Sequence, residues 1–193
     1  MTIVPVLVDH LERRLGRMTN SWRGTSRQGL PTFNVGCFAG GVFANTTGYA
    51  TLGLSRVPLH RPGHDRHLFL ELIAAAHDPA DASRVPLLGA LEFVWSKCLD
   101  SREAVLRGEV VALPSEATVA SRFSYLYAAL PVYYDDDFKS VVVESGDEVA
   151  IVWLIPITSG EAAFVSEQGW EKFEQELVKH DPDLMDLNRA AIA

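Results

Sequence analysis

The sequence has only two cysteines, no long hydrophobic run and none of the common nucleotide-binding motifs. Cys37 and Cys98 lie in separate apolar segments, a pattern typical of buried reduced thiols and not of a disulfide framework. The longest strongly apolar run, Val149–Ile157, is far shorter than the roughly 20 residues that span a bilayer. Because the first residues also lack a signal-peptide pattern, we expect a cytoplasmic protein.

The patterns G-x-x-x-x-G-K-[ST], G-x-G-x-x-G and paired C-x-x-C are all missing. The sequence therefore predicts no cofactor. Ser55 follows Gly53 but is not part of a G-x-S-x-G motif, so it is not predicted to be a nucleophile. No catalytic residue is assigned from these motifs.

Basic residues are scarce in most of the chain, whose formal net charge is −8. Residues 1–66 contain eight Arg, no Lys and three acidic residues, whereas residues 67–193 contain nine basic and 22 acidic residues. Such a surface disfavours non-specific binding of nucleic acids and favours a basic partner. The alternative is that the acidic side chains only keep the protein in solution.

A chain of 193 residues fits one domain, residues 1–193. Apolar periodicity predicts helices at 3–18, at 87–98 and from about 159 to 179, with a kink at Gly169 and a capping box formed by Thr158 and Glu161. Trp22 is expected to anchor a following loop onto the core. Strands are predicted at 32–44, 49–54, 68–76, 109–113, 123–130, 140–144 and 148–157. The pattern indicates an α/β (α+β) fold with a central mixed, mainly antiparallel sheet flanked by helices.

Two features contain residue types that are used in catalysis. His60, His64 and His67 lie in a polar segment and are suitable zinc ligands, but Pro62 and Gly63 exclude a helix there, so a solvated loop is favoured. Glu71 interrupts an apolar strand and requires a cationic or backbone-donor partner, with Arg56 and Arg66 as candidates. An ion pair is favoured over a general base. No metal site is assigned.

An acidic run next to two aromatic residues is the best candidate for a partner-binding surface. Aromatic side chains supply binding energy at interfaces, and carboxylates attract basic partners. The predicted partner-binding residues are Tyr133, Tyr134, Asp135, Asp136 and Asp137, with Glu144 and Asp147 of the following hairpin. A merely solvated acidic run is the alternative.

Several short blocks follow one another in an order that resembles a known family. They are Tyr49–Ser55, Leu68–Leu72, Gly108–Leu113, Leu130-Pro131, and Ile155–Thr158 with Glu161, then Asp186 and Arg189. This order resembles the suppressor-of-fused domain family in its bacterial form, from about Phe33 to Arg189. Residues 1–30 lie outside the resemblance, and neither the His-rich segment nor the acidic run has a counterpart in it.

The resemblance implies an α/β sandwich and a binding function. Bacterial members are regarded as immunity proteins of polymorphic toxin systems, and the animal relative is a repressor that clamps an extended peptide of a transcription factor. We therefore expect a non-catalytic immunity protein that neutralises a cognate toxin by direct binding. The alternatives are a regulator that captures an extended peptide and a metal-dependent enzyme built on His60, His64, His67 and Glu71.

Overall fold

The computed structural model describes residues 5–24, 31–77, 86–119 and 122–193. Within them the chain forms four α-helices and nine strands. The helices are α1 (Pro5–Leu15), α2 (Pro86–Ser101), α3 (Ser159–Gln168) and α4 (Trp170–His180). The strands are β1 (Gly16–Arg23), β2 (Asn34–Gly40), β3 (Thr46–Thr51), β4 (Leu59–Arg61), β5 (His64–His77), β6 (Val110–Ala112), β7 (Tyr125–Ala129), β8 (Ser140–Val142) and β9 (Glu148–Ile157).

The strands form one mixed sheet in the order β1-β2-β3-β5-β9-β7-β6, with β4 paired to β5 and β8 paired to β9. Among the described strands only β5 and β9 pair in parallel, from Phe69↔Val149 to Ile73↔Trp153. The predicted mixed, mainly antiparallel sheet flanked by helices is confirmed. The two longest apolar runs lie at its centre, as expected for strands covered on both faces.

Helices cover both faces of this sheet. Successive side chains of a strand point to opposite faces, so β9 contributes Val152 and Leu154 to the core under α2. Ile151 and Trp153 belong to the core on the other face, under α1, α3 and α4. Neither Cys37 nor Cys98 forms a disulfide, and both are buried. Burial raises the pKa of Cys98 to about 11, which keeps it a protonated thiol at neutral pH.

The region after α1 differs from the prediction. The helix ends at Leu15, and Gly16–Arg23 is an edge strand paired with β2, not a helix end followed by a loop. Trp22 lies on this edge and is exposed, so the prediction that it anchors onto the core is wrong. Residues 25–30, which include the end of the predicted loop, lie outside the described residues.

The segment from His60 to His67 is not a loop. Leu59–Arg61 and the start of β5 form an antiparallel hairpin that turns at residues 62 and 63. The predicted kink at Gly169 is a full break between α3 and α4, and the capping box at Thr158 and Glu161 is present. None of the helices in the described ranges is both long and apolar enough to cross a membrane.

Candidate functional site

The predicted acidic residues lie near the two ends of α1. At the N-terminal end, the backbone N–H of Val6 donates to Glu144 Oε1 at 3.2 Å, next to the β8–β9 turn that holds Asp147. At the C-terminal end, Arg14 Nη2 donates to Asp137 Oδ1 at 2.5 Å. Val6 and Arg14 are separated by about 12 Å along the helix at 1.5 Å per residue. We call Asp135, Asp136, Asp137, Glu144 and Asp147 the acidic face.

The carboxylates of the run at 135–137 are paired within the molecule and yet reach solvent. Buried Arg14 contacts Asp137 and lies 3.6 Å from Asp135, and Lys139 Nζ lies 2.5 Å from Asp136. The three side chains remain 73–96% exposed. The hydrogen bond from Arg14 lowers the pKa of Asp137 below its ordinary value. Arg14 and Lys139 therefore offset part of the negative charge that the sequence alone predicts here.

The two tyrosines beside this run are half-buried and pack inward. Tyr133 lies 5.0 Å from the ring of Trp153, and its hydroxyl donates to the carbonyl of Pro182 at 3.0 Å. Tyr134 packs on Phe138 at a centroid distance of 4.7 Å, and burial raises the pKa of Tyr134 to about 12. Both rings thus hold the turn in place, a role that the sequence did not indicate.

His10 is a further residue of this region that the sequence analysis did not identify. The side chain is buried, with Nε2 at 3.2 Å from the carbonyl oxygen of Phe138 and the ring stacked on that of Phe138 at 5.3 Å. Burial lowers the pKa of His10, although the contact with the Phe138 carbonyl opposes this effect. Together with Arg14, His10 fixes the acidic run to α1. The apolar periodicity at 3–18 predicted a helix but did not indicate the contacts of His10 and Arg14 with this run.

Glu71 is fully buried and has a structural role. Its carboxylate accepts hydrogen bonds from the hydroxyls of Thr51 (2.5 Å) and Ser55 (2.7 Å) and from the backbone N–H groups of Gly53, Leu54 and Ser55 (2.7–3.3 Å). Burial raises the pKa of Glu71, and these hydrogen bonds oppose the increase. The expected backbone donors are present. All five donor groups belong to Thr51 at the end of β3 and to the turn that follows it, at Gly53, Leu54 and Ser55.

The geometry separates His60 and His67 from Glu71, which the metal-enzyme alternative requires at one site. His60 and His67 pack against each other on the β4–β5 hairpin, with ring centroids 4.8 Å apart. Glu71 lies four residues further along β5, about 13 Å away at 3.3 Å per residue. In the part of the chain that the structure describes, no group of three His, Cys, Asp or Glu side chains is arranged to hold a metal ion.

A second buried carboxylate closes the fold near the C-terminus. Arg189 Nη1 lies 2.7 Å from Glu161 Oε1, and its Nη2 donates to the carbonyl of Pro156 at 3.0 Å. Glu161 also accepts from the backbone N–H of Thr158 at 2.8 Å as part of the capping box. The pair fastens the chain end to the end of β9 and the start of α3. This ion pair therefore stabilises the fold.

A groove separates the start of β5 from the β8–β9 turn. Parallel pairing of β5 with β9 begins only at Phe69↔Val149, so the first residues of β5 are not paired with β9. The cavity between them has a volume of about 500 Å³, and its lining includes Arg66, His67 and, from the opposite side, Asp147. A cavity flanked by a strand can accept an extended peptide, which would pair its backbone with that strand.

Comparison with known proteins identifies the family. The model of the suppressor of fused protein family (SUFU) matches residues 33–190, more than half of the chain. The chain belongs to the suppressor of fused family. The match agrees with the resemblance seen in the order of the sequence blocks, and it leaves α1 and β1 outside. No curated protein matches this chain significantly in sequence.

Solved structures share the fold at low sequence identity. A SUFU homolog from Neisseria gonorrhoeae FA 1090 superimposes with a TM-score of 0.76 at 18% identity, covering 99% of this chain and 97% of that one. A chain of the Sufu-Fu complex gives a TM-score of 0.68 at 16% identity, with coverages of 98% and 91%. Drosophila Suppressor of Fused gives 0.64 at 16% identity, and this chain spans 50% of its length. These likenesses extend to α1 and β1.

Proposed function

We propose that this chain is a non-catalytic binding protein, and specifically an immunity protein that neutralises a cognate bacterial toxin by direct binding. Membership of the suppressor of fused family supports a binding role, since a relative of the same fold is known in complex with a protein, the Sufu-Fu complex. The observation that carries the proposal is the acidic face, where exposed carboxylates are held in place by the buried side chain of Arg14.

The acidic face has the properties expected of a surface for a basic partner. Charge complementarity accelerates encounter and excludes partners of the wrong charge more than it adds affinity. Because Arg14 and His10 fix the run at 135–137 to α1, its carboxylates lose little conformational entropy on binding. Toxins that attack nucleic acids must approach phosphates and are often basic, which would fit this face.

The test is co-expression with the product of the adjacent gene, followed by co-purification and an assay of the toxic activity. The variant Asp135→Asn/Asp136→Asn/Asp137→Asn should associate more slowly, with a rate that depends less on salt. The matched control, Glu103→Gln/Glu116→Gln/Glu167→Gln, removes the same charge from exposed positions elsewhere. A complex in which the toxin stays fully active would contradict the proposal.

A second function, capture of an extended peptide, is favoured by the groove between β5 and the β8–β9 turn. In that mode the peptide backbone would pair with residues 65–68, and their amide hydrogens would exchange more slowly in the complex. Hydrogen exchange of the chain with and without its partner measures this directly. Protection confined to the acidic face favours the first function, and a partner without toxic activity favours the second.

A further inference from the structure

An apolar groove lies beside α4. Its floor is formed by the buried side chains of Tyr127, Ile155 and Leu184, and its walls include Val132 and Val178. The cavity has a volume of about 310 Å³. This volume suits one or two large apolar side chains, and it lies at the lower limit for a site that binds a small organic molecule.

Two different elements present an exposed valine to this groove. Val178 on α4 is 81% exposed, and Val132 in the turn after β7 is 60% exposed. An isolated exposed valine is ordinary, but two that flank one apolar cavity form a patch of the kind that marks an interaction site. Tyr133 lines the same groove and is held by its hydrogen bond to Pro182, so this wall is already formed in the unbound chain.

The rim of the groove is negatively charged. The rim comprises Glu174 and Asp181 of the groove itself. It also includes Glu171 of an adjoining hollow, which shares Arg107, Glu174 and Val178 with the groove. Arg107 is the cation among the described rim residues, and its guanidinium is held by Glu174 and stacks over Trp170 at 4.7 Å. With three carboxylates and one guanidinium, the rim has a formal charge of −2.

We infer that the groove binds a basic segment of a protein partner, which inserts a bulky apolar side chain between Val132 and Val178 and places Lys or Arg against the acidic rim. The apolar side chain would be the anchor, because fully desolvated apolar contacts at the centre of an interface supply most of the binding energy. The acidic rim favours apolar anchor residues whose neighbours in the partner's sequence are Lys or Arg, and disfavours those whose neighbours are acidic. This inference rests on the proposed binding function and gives it a second contact.

The experiment uses the full chain and a displayed library of random twelve-residue peptides. Selected peptides should share one Leu, Phe, Met or Trp flanked by Lys or Arg, and in ¹⁵N-labelled protein they should shift the amide signals of Tyr133 and Val178. Val178→Asp should weaken their binding at least about tenfold, since burial of one valine and its flanking contacts is lost. Val142→Asp is the matched control, because Val142 is 61% exposed on β8 and should have no effect.

Several results would overturn the inference. They are the selection of no peptide, the selection of acidic or uncharged peptides, and binding that Val178→Asp leaves unchanged. A dimer of the chain that Val178→Asp dissociates would assign the groove to a second copy instead. If Val178→Asp still neutralises the adjacent-gene toxin at full affinity, the groove is not used although the proposed function stands. If the unaltered chain fails to bind that toxin but binds basic peptides through Val178, the toxin proposal fails and the groove stands.

Discussion

Replacing Glu71 tests whether one buried carboxylate organises the turn after β3. Glu71→Ala removes the acceptor of three backbone N–H groups, of which those of Gly53 and Leu54 are buried and that of Ser55 is half-buried. Each buried donor left without a partner costs about 1–3 kcal/mol. Allowing for water that enters the space, we expect a loss of about 3–6 kcal/mol, a large part of the 5–15 kcal/mol that stabilises a typical domain.

The measurement is urea unfolding monitored by far-UV circular dichroism. The free energies of unfolding are compared if the dependence of that free energy on urea concentration is the same for both proteins. Glu71→Gln retains one carbonyl acceptor but turns its NH₂ group towards donors, so its loss should be smaller than that of Glu71→Ala. Exposed Glu167→Ala on α3 is the control and should change stability by no more than about 0.5 kcal/mol. A loss below about 1 kcal/mol for Glu71→Ala would refute the reasoning.

Three further changes test other parts of the fold. Burial alone would raise the pKa of Glu161, but Arg189 and backbone donors hold it below its ordinary value. The contribution of the Glu161 carboxylate to stability is therefore present at neutral pH and is lost as pH falls. The deficit of Glu161→Gln, about 3–5 kcal/mol at pH 7 in urea unfolding, should shrink towards pH 3. Thr158→Ala should cost about 0.5–2 kcal/mol of unfolding free energy, because the capping box at α3 is lost. Gly108→Ala should lower the melting temperature more than Gly146→Ala. Both glycines have positive φ, so the backbone strain is common to the two variants. A Cβ at Gly108 would lie 2.6 Å from an indole ring, whereas a Cβ at Gly146 would face open space. Equal shifts for the two glycines, or a pH-independent deficit for Glu161→Gln, would contradict these expectations.

The central strands were predictable because their sequence signal is local. The run Val149–Ile157 is apolar throughout and follows the turn residues Gly146-Asp147, and this combination favours a strand with both faces covered. The capping box at Thr158 was predictable for the same reason, since its partners are three residues apart. The cost of desolvating a buried carboxylate was enough to predict that Glu71 has hydrogen-bond partners. It did not indicate whether these partners are backbone donors or an arginine.

The edge strand β1 and the contacts of the acidic run were not predictable from local patterns. Gly16–Arg23 is exposed along most of its length, so it lacks the alternation of apolar and polar residues by which strands are recognised. Arg14 and Asp137 are separated by 123 positions, and nothing near either residue indicates that they pair. The inward packing of Tyr133 likewise depends on Trp153, which is distant in sequence and lies next to Tyr133 only when the sheet has formed.

The most direct test of a binding function is a titration of the adjacent-gene toxin with this chain while the toxin's activity is recorded. A protein that works by holding its partner removes activity linearly and reaches completion at a fixed, near-equimolar ratio, and dissociation of the complex restores the activity. Loss of activity with a small fraction of an equivalent, increasing with time and persisting after the chain is removed, would show turnover and contradict the account.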